Sequence, residues 1–254
     1  HCGVVISASH NPAADNGIKL LGHNGAKLEN AIEQELESEC LSDKQFAEHP
    51  RLGNVARCQD LCVDYILWLR GEAFPDLDLS GQKILIDCAN GAASEIAPRV
   101  MKAFGAEAIL MHAAPNGSNI NLDCGATKPQ VCATEMLKHQ YDAGLSLDGD
   151  ADRGILCDNT ERILDGDTIL AGLGQAMSQQ QKLANNTVVA TVMSNLALET
   201  YLKESGVTLL RTQVGDKYVA QEMRNGNHNL GGEKSGHILF GAEHGFRGDG
   251  LYTL

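Results

Sequence analysis

The sequence predicts an α/β protein of consecutive domains, each with a mixed sheet sandwiched by helices. Apolar strand-like runs alternate with helix-like segments along the chain, and this alternation is typical of parallel or mixed sheets covered by helices. The chain has 254 residues, of which 43% are hydrophobic. That composition can bury a sizeable core, and the length suits two or three domains.

The first predicted domain spans residues 1–78. Its predicted elements are a buried strand at 2–7 and helices at 29–40 and 56–72. In the second helix Cys58 and Cys62 share an apolar face with helical spacing, which favours core thiols over metal ligands. A stretch rich in turn residues, from Pro75 to Gly81, predicts a domain boundary.

Two further domains are predicted at 79–161 and 162–254. The elements predicted in the second domain are strands at 83–88, 106–111, 143–147 and 154–158 and helices at 94–104 and 131–139. The elements predicted in the third domain are helices at 167–181, 195–204 and 216–225, a strand at 187–192 and short strands after 229. Each domain therefore alternates β and α elements.

The charge balance limits the partners. Lys and Arg number 20 against 33 Asp and Glu, for a net charge of −13. Such an acidic body repels phosphate backbones and anionic membranes, so we expect neither nucleic acid nor membrane as a partner. The eight cysteines have no zinc-motif spacing, and thiols scattered through an α/β pattern suggest a reducing cytoplasm.

The acidic loop "LDGDADRGIL" is the most informative stretch. Asp148, Asp150 and Asp152 alternate between two predicted strands, and in an extended segment this spacing puts three carboxylates on one side. Such close like charges repel unless a cation lies among them. Their oxygens suit Mg²⁺, which also leaves positions for water or a phosphate oxygen.

Other interpretations of this loop are weaker. A calcium EF-hand needs Gly where Arg153 stands and Glu where Asn159 stands. A phosphatase with an aspartyl nucleophile needs Thr or Val where Asp152 stands. A solvated acidic turn remains an option, since turns favour Asp and Gly for conformational reasons.

The stretch "SASHNP" at 7–12 follows the first strand and offers a place for a phosphate. Its X-Pro step can begin a helical turn, whose free N–H groups favour an anion. A phosphorylated serine there could supply a fourth ligand to Mg²⁺. Taken alone, the stretch could equally be a helix cap.

Three motifs in order carry a family resemblance. The stretches "GVVISASHNPAADNGIKLLG", "DGDADR" and "GGEKSGH" resemble the α-D-phosphohexomutase superfamily. Further stretches are similar to its hexosamine-phosphate branch: "DCANGAAS" (87–94), "PNGSNIN" (115–121), "MSNLALE" (193–199) and "VGDKYV" (214–219). The resemblance implies a phosphohexomutase-like fold over nearly the whole chain.

The resemblance also implies site residues, position by position. The family's phosphorylated serine precedes His-Asn-Pro, so it falls on Ser9, with Ser7 a structural neighbour. The family's metal aspartates fall on the trio Asp148, Asp150 and Asp152, with the Ser9 phosphate as a further ligand. The other implied residues are Arg153, His10 and Lys19 beside the phosphoserine and Glu233 and Ser235 on the sugar hydroxyls.

Two loops leave alternatives open. His237 in "GGEKSGH" either orients the sugar loop or contacts substrate. Lys217 stands where this branch often has arginine, and a lysine lacks the bidentate fork. "DCANGAAS" could cradle phosphate, but a structural turn is the simpler interpretation.

The implied activity is a Mg²⁺-dependent phosphosugar mutase. A phosphoserine would exchange its phosphoryl group with a hexosamine phosphate through a bisphosphorylated sugar. The alternatives are a mutase for mannose or glucose phosphates, a binding module without turnover, and a metal-dependent phosphatase. A homodimer is one option for its assembly.

The chain is also expected to be a fragment. It begins with His1 rather than Met, and the family's first domain starts earlier. The family has a fourth, C-terminal domain whose Arg-x-Ser-Gly-Thr-like loop grips the non-reacting phosphate. No such stretch is present, so we expect domain four to be absent here.

Overall fold

The computed structural model describes residues 2–23, 25–42, 54–56, 58 and 61–254. The first elements are β1 (Gly3–Ser7), β2 (Gly17–Leu21), α1 (Asn30–Cys40) and α2 (Leu61–Trp68), which continues as a π-helical turn over Leu69–Ala73. β1 and β2 form an antiparallel hairpin in which Val5 pairs with Lys19. Ile6 and Ile18 are about 70% exposed. The prediction of a buried first strand is therefore wrong in this structure, because the hairpin has no third strand or covering helix among the described residues.

The second sheet is mixed. Its region contains β3 (Lys83–Asp87), α3 (Ala93–Ala103), β4 (Glu107–Met111), α4 (Pro129–Met136), β5 (Ala143–Leu147), β6 (Gly154–Asp158) and β7 (Ile163–Leu164). The strand order is β4–β3–β5–β6–β7, with β3 parallel to β4 and β5 and the other pairs antiparallel. Ile84 and Ile86 pack in the core beneath α3, whereas Leu85 packs against α4. Alternate residues of β3 thus face two apolar layers, as a strand buried on both faces requires.

The third sheet follows the same plan. Its region contains α5 (Gly166–Gln179), β8 (Thr187–Thr191), α6 (Leu196–Glu204), β9 (Thr208–Thr212), α7 (Asp216–Gly226), β10 (Leu230–Gly232), β11 (Ile238–Phe240) and α8 (Gly250–Thr253). The strand order is β11–β10–β8–β9, and β10 and β9 both run parallel to β8. Val188 packs against the α5 and α6 side, and Val189 packs against α7. The predicted α/β class with mixed sheets between helices is confirmed.

Two details depart from the sequence predictions. Cys58 and Cys62 are exposed rather than core thiols, because α2 begins only at Leu61 and carries no buried residue. The strands β2, β7 and β9 were not predicted. All eight cysteines are free thiols. Among the described residues, no helix combines the length and apolar character needed to cross a membrane.

Candidate active site

The serine loop begins where β1 ends. The Ser7 hydroxyl accepts the N–H of Ser9 at 2.8 Å, and the Asn11 N–H donates to the Ala8 carbonyl at 2.9 Å. These bonds form a tight turn in which Ser9 has a left-handed φ of 51°. The Ser9 Oγ lies 3.4 Å from Nδ1 of His10, and burial lowers the pKa of His10. Ser7 is thus a structural acceptor, and the Ser9 hydroxyl is left available.

The helical turn expected after this loop is short. Pro12 precedes a three-residue 3₁₀ turn, Ala13–Asp15. A turn of that length has too few aligned N–H groups to form an anion site by itself. Any phosphate on Ser9 therefore needs groups from elsewhere in the fold.

The backbone of the acidic loop contacts the serine loop. The N–H of Gly149 donates to the Ser9 carbonyl at 3.0 Å. Gly149 stands between Asp148 and Asp150, and a Cβ built on it would lie 2.6 Å from the Ser9 carbonyl oxygen. Only glycine permits this approach, which sets Ser9 directly beside the acidic loop.

The three aspartates converge, but not through an extended backbone. The Ala151 N–H donates to the Asp148 carbonyl at 3.0 Å, and Ala151 has a φ of 59°. The loop is therefore a turn, and the predicted extended geometry is wrong. One carboxylate oxygen from each of Asp148, Asp150 and Asp152 nevertheless lies within 4.8 Å of the others.

These carboxylates fit a divalent cation. Asp148 is fully buried, and Oδ2 of Asp148, Oδ1 of Asp150 and Oδ1 of Asp152 are buried without a hydrogen-bond partner. A buried polar atom without a partner is costly, and several that converge call for a ligand. Hard oxygen donors at this spacing are the ligand set that Mg²⁺ prefers.

Two cations flank the aspartates. Nζ of Lys19, on β2, lies 2.6 Å from Oδ2 of Asp150 and 3.8 Å from Oδ2 of Asp152. Arg153 donates its backbone N–H to Asp148 at 3.2 Å, and its Nε lies 3.9 Å from both Asp148 and Asp152. Two positive charges face three negative ones, so the site retains a negative balance that favours a further cation.

The pKa values of Asp148 and Asp152 shift in opposite directions. Burial raises the pKa of Asp148, and the charges of Asp152 and Asp150 raise it further. Burial also acts to raise the pKa of Asp152, but His237 and the flanking cations outweigh it and hold that pKa below its usual range. The deepest carboxylate is therefore the one that is hardest to ionise without a bound ion.

His237 links the acidic loop to α7. Its Nδ1 lies 3.5 Å from Oδ1 of Asp152, and its Nε2 lies 3.8 Å from Oδ2 of Asp216. Burial acts to lower the pKa of His237, but the two carboxylates outweigh it and raise that pKa. Asp216 also pairs with Lys27 at 2.5 Å, across to the loop after β2. This position favours the interpretation in which His237 orients the site.

The sugar loop connects β10 to β11, and its two predicted residues face different neighbours. Oε1 of Glu233 accepts the N–H of Gly215 at 3.2 Å, just before α7. Ser235 is exposed and lines a cavity of about 240 Å³ together with Arg153. Ser235 therefore shares a cavity with the acidic loop, whereas Glu233 braces the start of α7.

Lys217 lies farther from the aspartates. Its Nζ donates to Oδ1 of Asn30 at 2.9 Å and lies 5.3 Å from the centre of the Tyr218 ring. It lines a cleft of about 750 Å³ that also reaches Asp152 and His237. Lys217 can therefore meet a ligand in this cleft.

Sequence reasoning missed two residues of this site. Asp216 and Asn121 stand in stretches quoted for resemblance, but neither was given a role. Asp216 contacts His237, and Asn121 contacts the serine loop. Nothing in local sequence signals either contact, because each joins segments more than 20 residues apart.

Comparison with known proteins identifies the family. The family models for Phosphoglucomutase/phosphomannomutase match the chain in order: alpha/beta/alpha domain I at residues 1–47, domain II at 72–161 and domain III at 165–254. This chain belongs to the phosphoglucomutase/phosphomannomutase family. The family resemblance inferred from the motifs is thereby confirmed.

Individual family members agree. A phosphoglucosamine mutase from Dinoroseobacter shibae is 48% identical over 249 residues, which is 98% of this chain and 56% of the relative. A crystal structure of a phosphoglucomutase/phosphomannomutase family protein from Burkholderia thailandensis has a TM-score of 0.78 at 23% identity, covering 99% of this chain and 54% of that one. A second crystal structure is a variant of Aspergillus fumigatus N-acetylphosphoglucosamine mutase in complex with glucose 1,6-bisphosphate. It has a TM-score of 0.66 at 21% identity, covering 94% of this chain and 61% of that one. The chain thus spans about half the length of the curated relatives it matches.

Proposed function

We propose that the protein is a phosphoglucosamine mutase, which interconverts glucosamine 6-phosphate and glucosamine 1-phosphate. Ser9 carries the phosphoryl group, and a bisphosphorylated sugar is the intermediate. The product would feed UDP-N-acetylglucosamine and cell-wall synthesis. The observation that carries the proposal is the bond from the Gly149 N–H to the Ser9 carbonyl, beside three buried carboxylate oxygens that accept no hydrogen bond. The 48% identity to a phosphoglucosamine mutase supports the choice of substrate.

The chain's own residues account for the proposed transfer. The bond between the Ser9 Oγ and phosphorus breaks as a free sugar hydroxyl forms a new bond to phosphorus. His10 takes the hydroxyl proton, because its pKa is lowered and Lys19 is already an ammonium beside Asp150, and a proton passes to the Ser9 Oγ. The bisphosphate then turns over in the cleft, and the reverse transfer at its other phosphate regenerates phosphorylated Ser9.

Mg²⁺ is the proposed cofactor. Asp148, Asp150 and Asp152 would hold it, with an oxygen of the Ser9 phosphate as a further ligand. When bound, Mg²⁺ supplies positive charge that stabilises the negative phosphoryl oxygens. Arg153 holds the Asp148 carboxylate through its backbone N–H and brings a guanidinium to the same side of the loop.

The sugar loop must accept the bisphosphate in both orientations. We assign Glu233 and Ser235 to hydroxyls that are common to both, supported by the cavity that Ser235 shares with Arg153. His237, which is 5% exposed, holds this loop against Asp152. We assign Lys217, which lies in the wall of the larger cleft, to binding of the sugar phosphate.

The covalent step has a direct test. Ser9→Ala in the full-length protein should abolish mutase activity and bind Mg²⁺ in calorimetry as tightly as unphosphorylated wild type, since no aspartate is altered. Ser42→Ala is the matched control, because Ser42 is exposed and its hydroxyl donates to the Glu39 carbonyl rather than to the serine loop. Mutase activity of Ser9→Ala near the wild-type rate would rule out the phosphoserine route.

Substrate choice needs a separate measurement. A phosphomannomutase or phosphoglucomutase would use the same chemistry, and the family name itself includes both. Turnover of glucosamine, glucose and mannose phosphates should rank glucosamine first. Release of inorganic phosphate faster than isomerisation would instead indicate a phosphatase.

A further inference from the structure

Asn121 grips the serine loop from the neighbouring domain region. Its side-chain amide donates to the Ser9 carbonyl at 2.7 Å and to the Asn11 carbonyl at 2.8 Å. These two carbonyls flank His10. One amide group therefore spans the turn that carries the Ser9 hydroxyl.

Asn121 is itself held firmly. It has a left-handed φ of 57°, which asparagine tolerates better than most residues, and its N–H donates to the Ala89 carbonyl at 2.9 Å. Ala89 in turn donates its N–H to the fully buried Asp87 carboxylate at 3.0 Å. That carboxylate also accepts from the Gly125 N–H at 2.8 Å and contacts Nδ1 of His112 at 3.0 Å. The amide thus extends from a rigid, fully bonded network at the end of β3.

The Ser9 carbonyl receives two donors. The Gly149 N–H approaches it at 3.0 Å and the Asn121 amide at 2.7 Å. Serine in a left-handed conformation relaxes unless its surroundings hold it there. Two donors on one carbonyl fix the plane of the peptide after Ser9, and this plane determines where the Ser9 side chain points.

We propose that Asn121 is a positioning residue that holds Ser9 in its left-handed turn, so that its hydroxyl faces the aspartates. The inference rests on the proposed role of Ser9 as the phosphoryl carrier. Among the described residues, Asn121 bonds to the serine loop and to Ala89, and to neither the aspartates nor the sugar loop. It therefore acts on phosphoryl transfer through Ser9 and not through metal binding.

Two variants and one matched control separate positioning from general stability. Asn121→Gly keeps the left-handed backbone and removes the amide, whereas Asn121→Asp keeps the shape and removes the donor. The control is Asn119→Asp, in the same loop. The Asn119 amide donates to the Ala114 carbonyl at 3.0 Å and does not contact the serine loop.

The main measurement is the single-turnover phosphorylation of Ser9. The full-length protein with Mg²⁺ is mixed with glucose 1,6-bisphosphate, and phosphorylated Ser9 is quantified by intact mass and peptide mapping. In this step a sugar oxygen–phosphorus bond breaks, the Ser9 Oγ bonds to phosphorus, and the serine proton goes to the sugar oxygen, which leaves a glucose monophosphate. Both Asn121 variants should slow the step by at least about tenfold, since small displacements of a reacting group cost that much or more. The Mg²⁺ affinity of Asn121→Gly and the rate of Asn119→Asp should match wild type.

Two results would overturn the inference: Asn121 variants that react at the wild-type rate, or an equal loss in Asn119→Asp. If wild-type Ser9 takes up no phosphoryl group, the proposed function fails instead. In that case, hydrogen exchange of residues 7–12 still tests whether Asn121 holds the serine loop in place. Faster exchange in the Asn121 variants than in Asn119→Asp supports it, and unchanged exchange contradicts it.

Discussion

Replacing Asp148 by asparagine should have opposite effects on stability with and without Mg²⁺. The substitution keeps an oxygen that can accept the Arg153 N–H, which lies 3.2 Å away. It removes one negative charge from a buried cluster whose Asp148 Oδ2 has no partner. Without metal the loss of charge relieves repulsion, and with metal it removes a ligand.

The size of the effect follows from the distances. At an effective dielectric constant of about 20, two charges at 4.8 Å, the largest separation among these oxygens, repel by roughly 3 kcal/mol, so Asp150 and Asp152 together repel ionised Asp148 by roughly 7 kcal/mol. Arg153, with Nε 3.9 Å from Asp148, offsets roughly 4 kcal/mol of this repulsion. Partial protonation of Asp148 relieves part of the remaining net repulsion of roughly 3 kcal/mol. Each kcal/mol shifts Tm by about 2–4 °C at this chain length, so Asp148→Asn should raise Tm by several degrees in EDTA.

Thermal unfolding in EDTA and in Mg²⁺ tests whether the substitution raises Tm without metal and removes the stabilisation by metal. Mg²⁺ at 100 times its Kd should stabilise the wild type by about 2.7 kcal/mol and should stabilise Asp148→Asn little. Asp123→Asn is the matched control, since Asp123 is exposed and its left-handed φ of 52° suits asparagine. A lower Tm for Asp148→Asn in EDTA, combined with a wild-type Mg²⁺ shift, would refute the interpretation of the cluster as a cation site.

Two further predictions concern the lysines. Lys19→Met should bind Mg²⁺ more tightly in calorimetry, because Nζ 2.6 Å from Asp150 competes for its charge. It should also slow the phosphorylation of Ser9 by about 100-fold if Lys19 assists the transfer, whereas weaker Mg²⁺ binding would contradict the first point. Lys217→Met should leave Mg²⁺ affinity and Ser9 phosphorylation unchanged and raise only the KM for sugar phosphate, since its ammonium bonds to Asn30. A loss of Mg²⁺ binding in this variant would show that Lys217 acts on the metal site.

Local sequence predicted the interior of the fold well. β3 and β5 are apolar runs buried in the sheet, and α5 and α7 follow helical patterns close to the predicted bounds. Period and capping act over a few residues, so the sequence alone can specify them. The first strand was predicted to be buried for the same reason, but burial depends on what covers the strand. The hairpin of β1 and β2 instead exposes Ile6 and Ile18.

In the candidate site, too, local sequence predicted some features and tertiary packing decided the others. Residue types identified the serine loop, the acidic loop and the sugar loop as stretches with chemistry, through motifs a few residues long. The turn at Ala151, the approach of Gly149 to Ser9 and the contact between His237 and Asp216 could not be predicted. The approach of Gly149 to Ser9 depends on how two sheets meet, and the contact between His237 and Asp216 depends on how a loop meets a helix.

The sequence by itself determined the α/β class and the order of most strands and helices, because these depend on short-range pattern and composition. Only the tertiary structure decided that the Ser9 carbonyl is shared between Gly149 and Asn121, and that three carboxylates crowd beside it with unpartnered oxygens. Ser9 and Asn121 are 112 residues apart in the chain. No local preference can encode such a distance, since the contact exists only once both segments have packed against the second sheet.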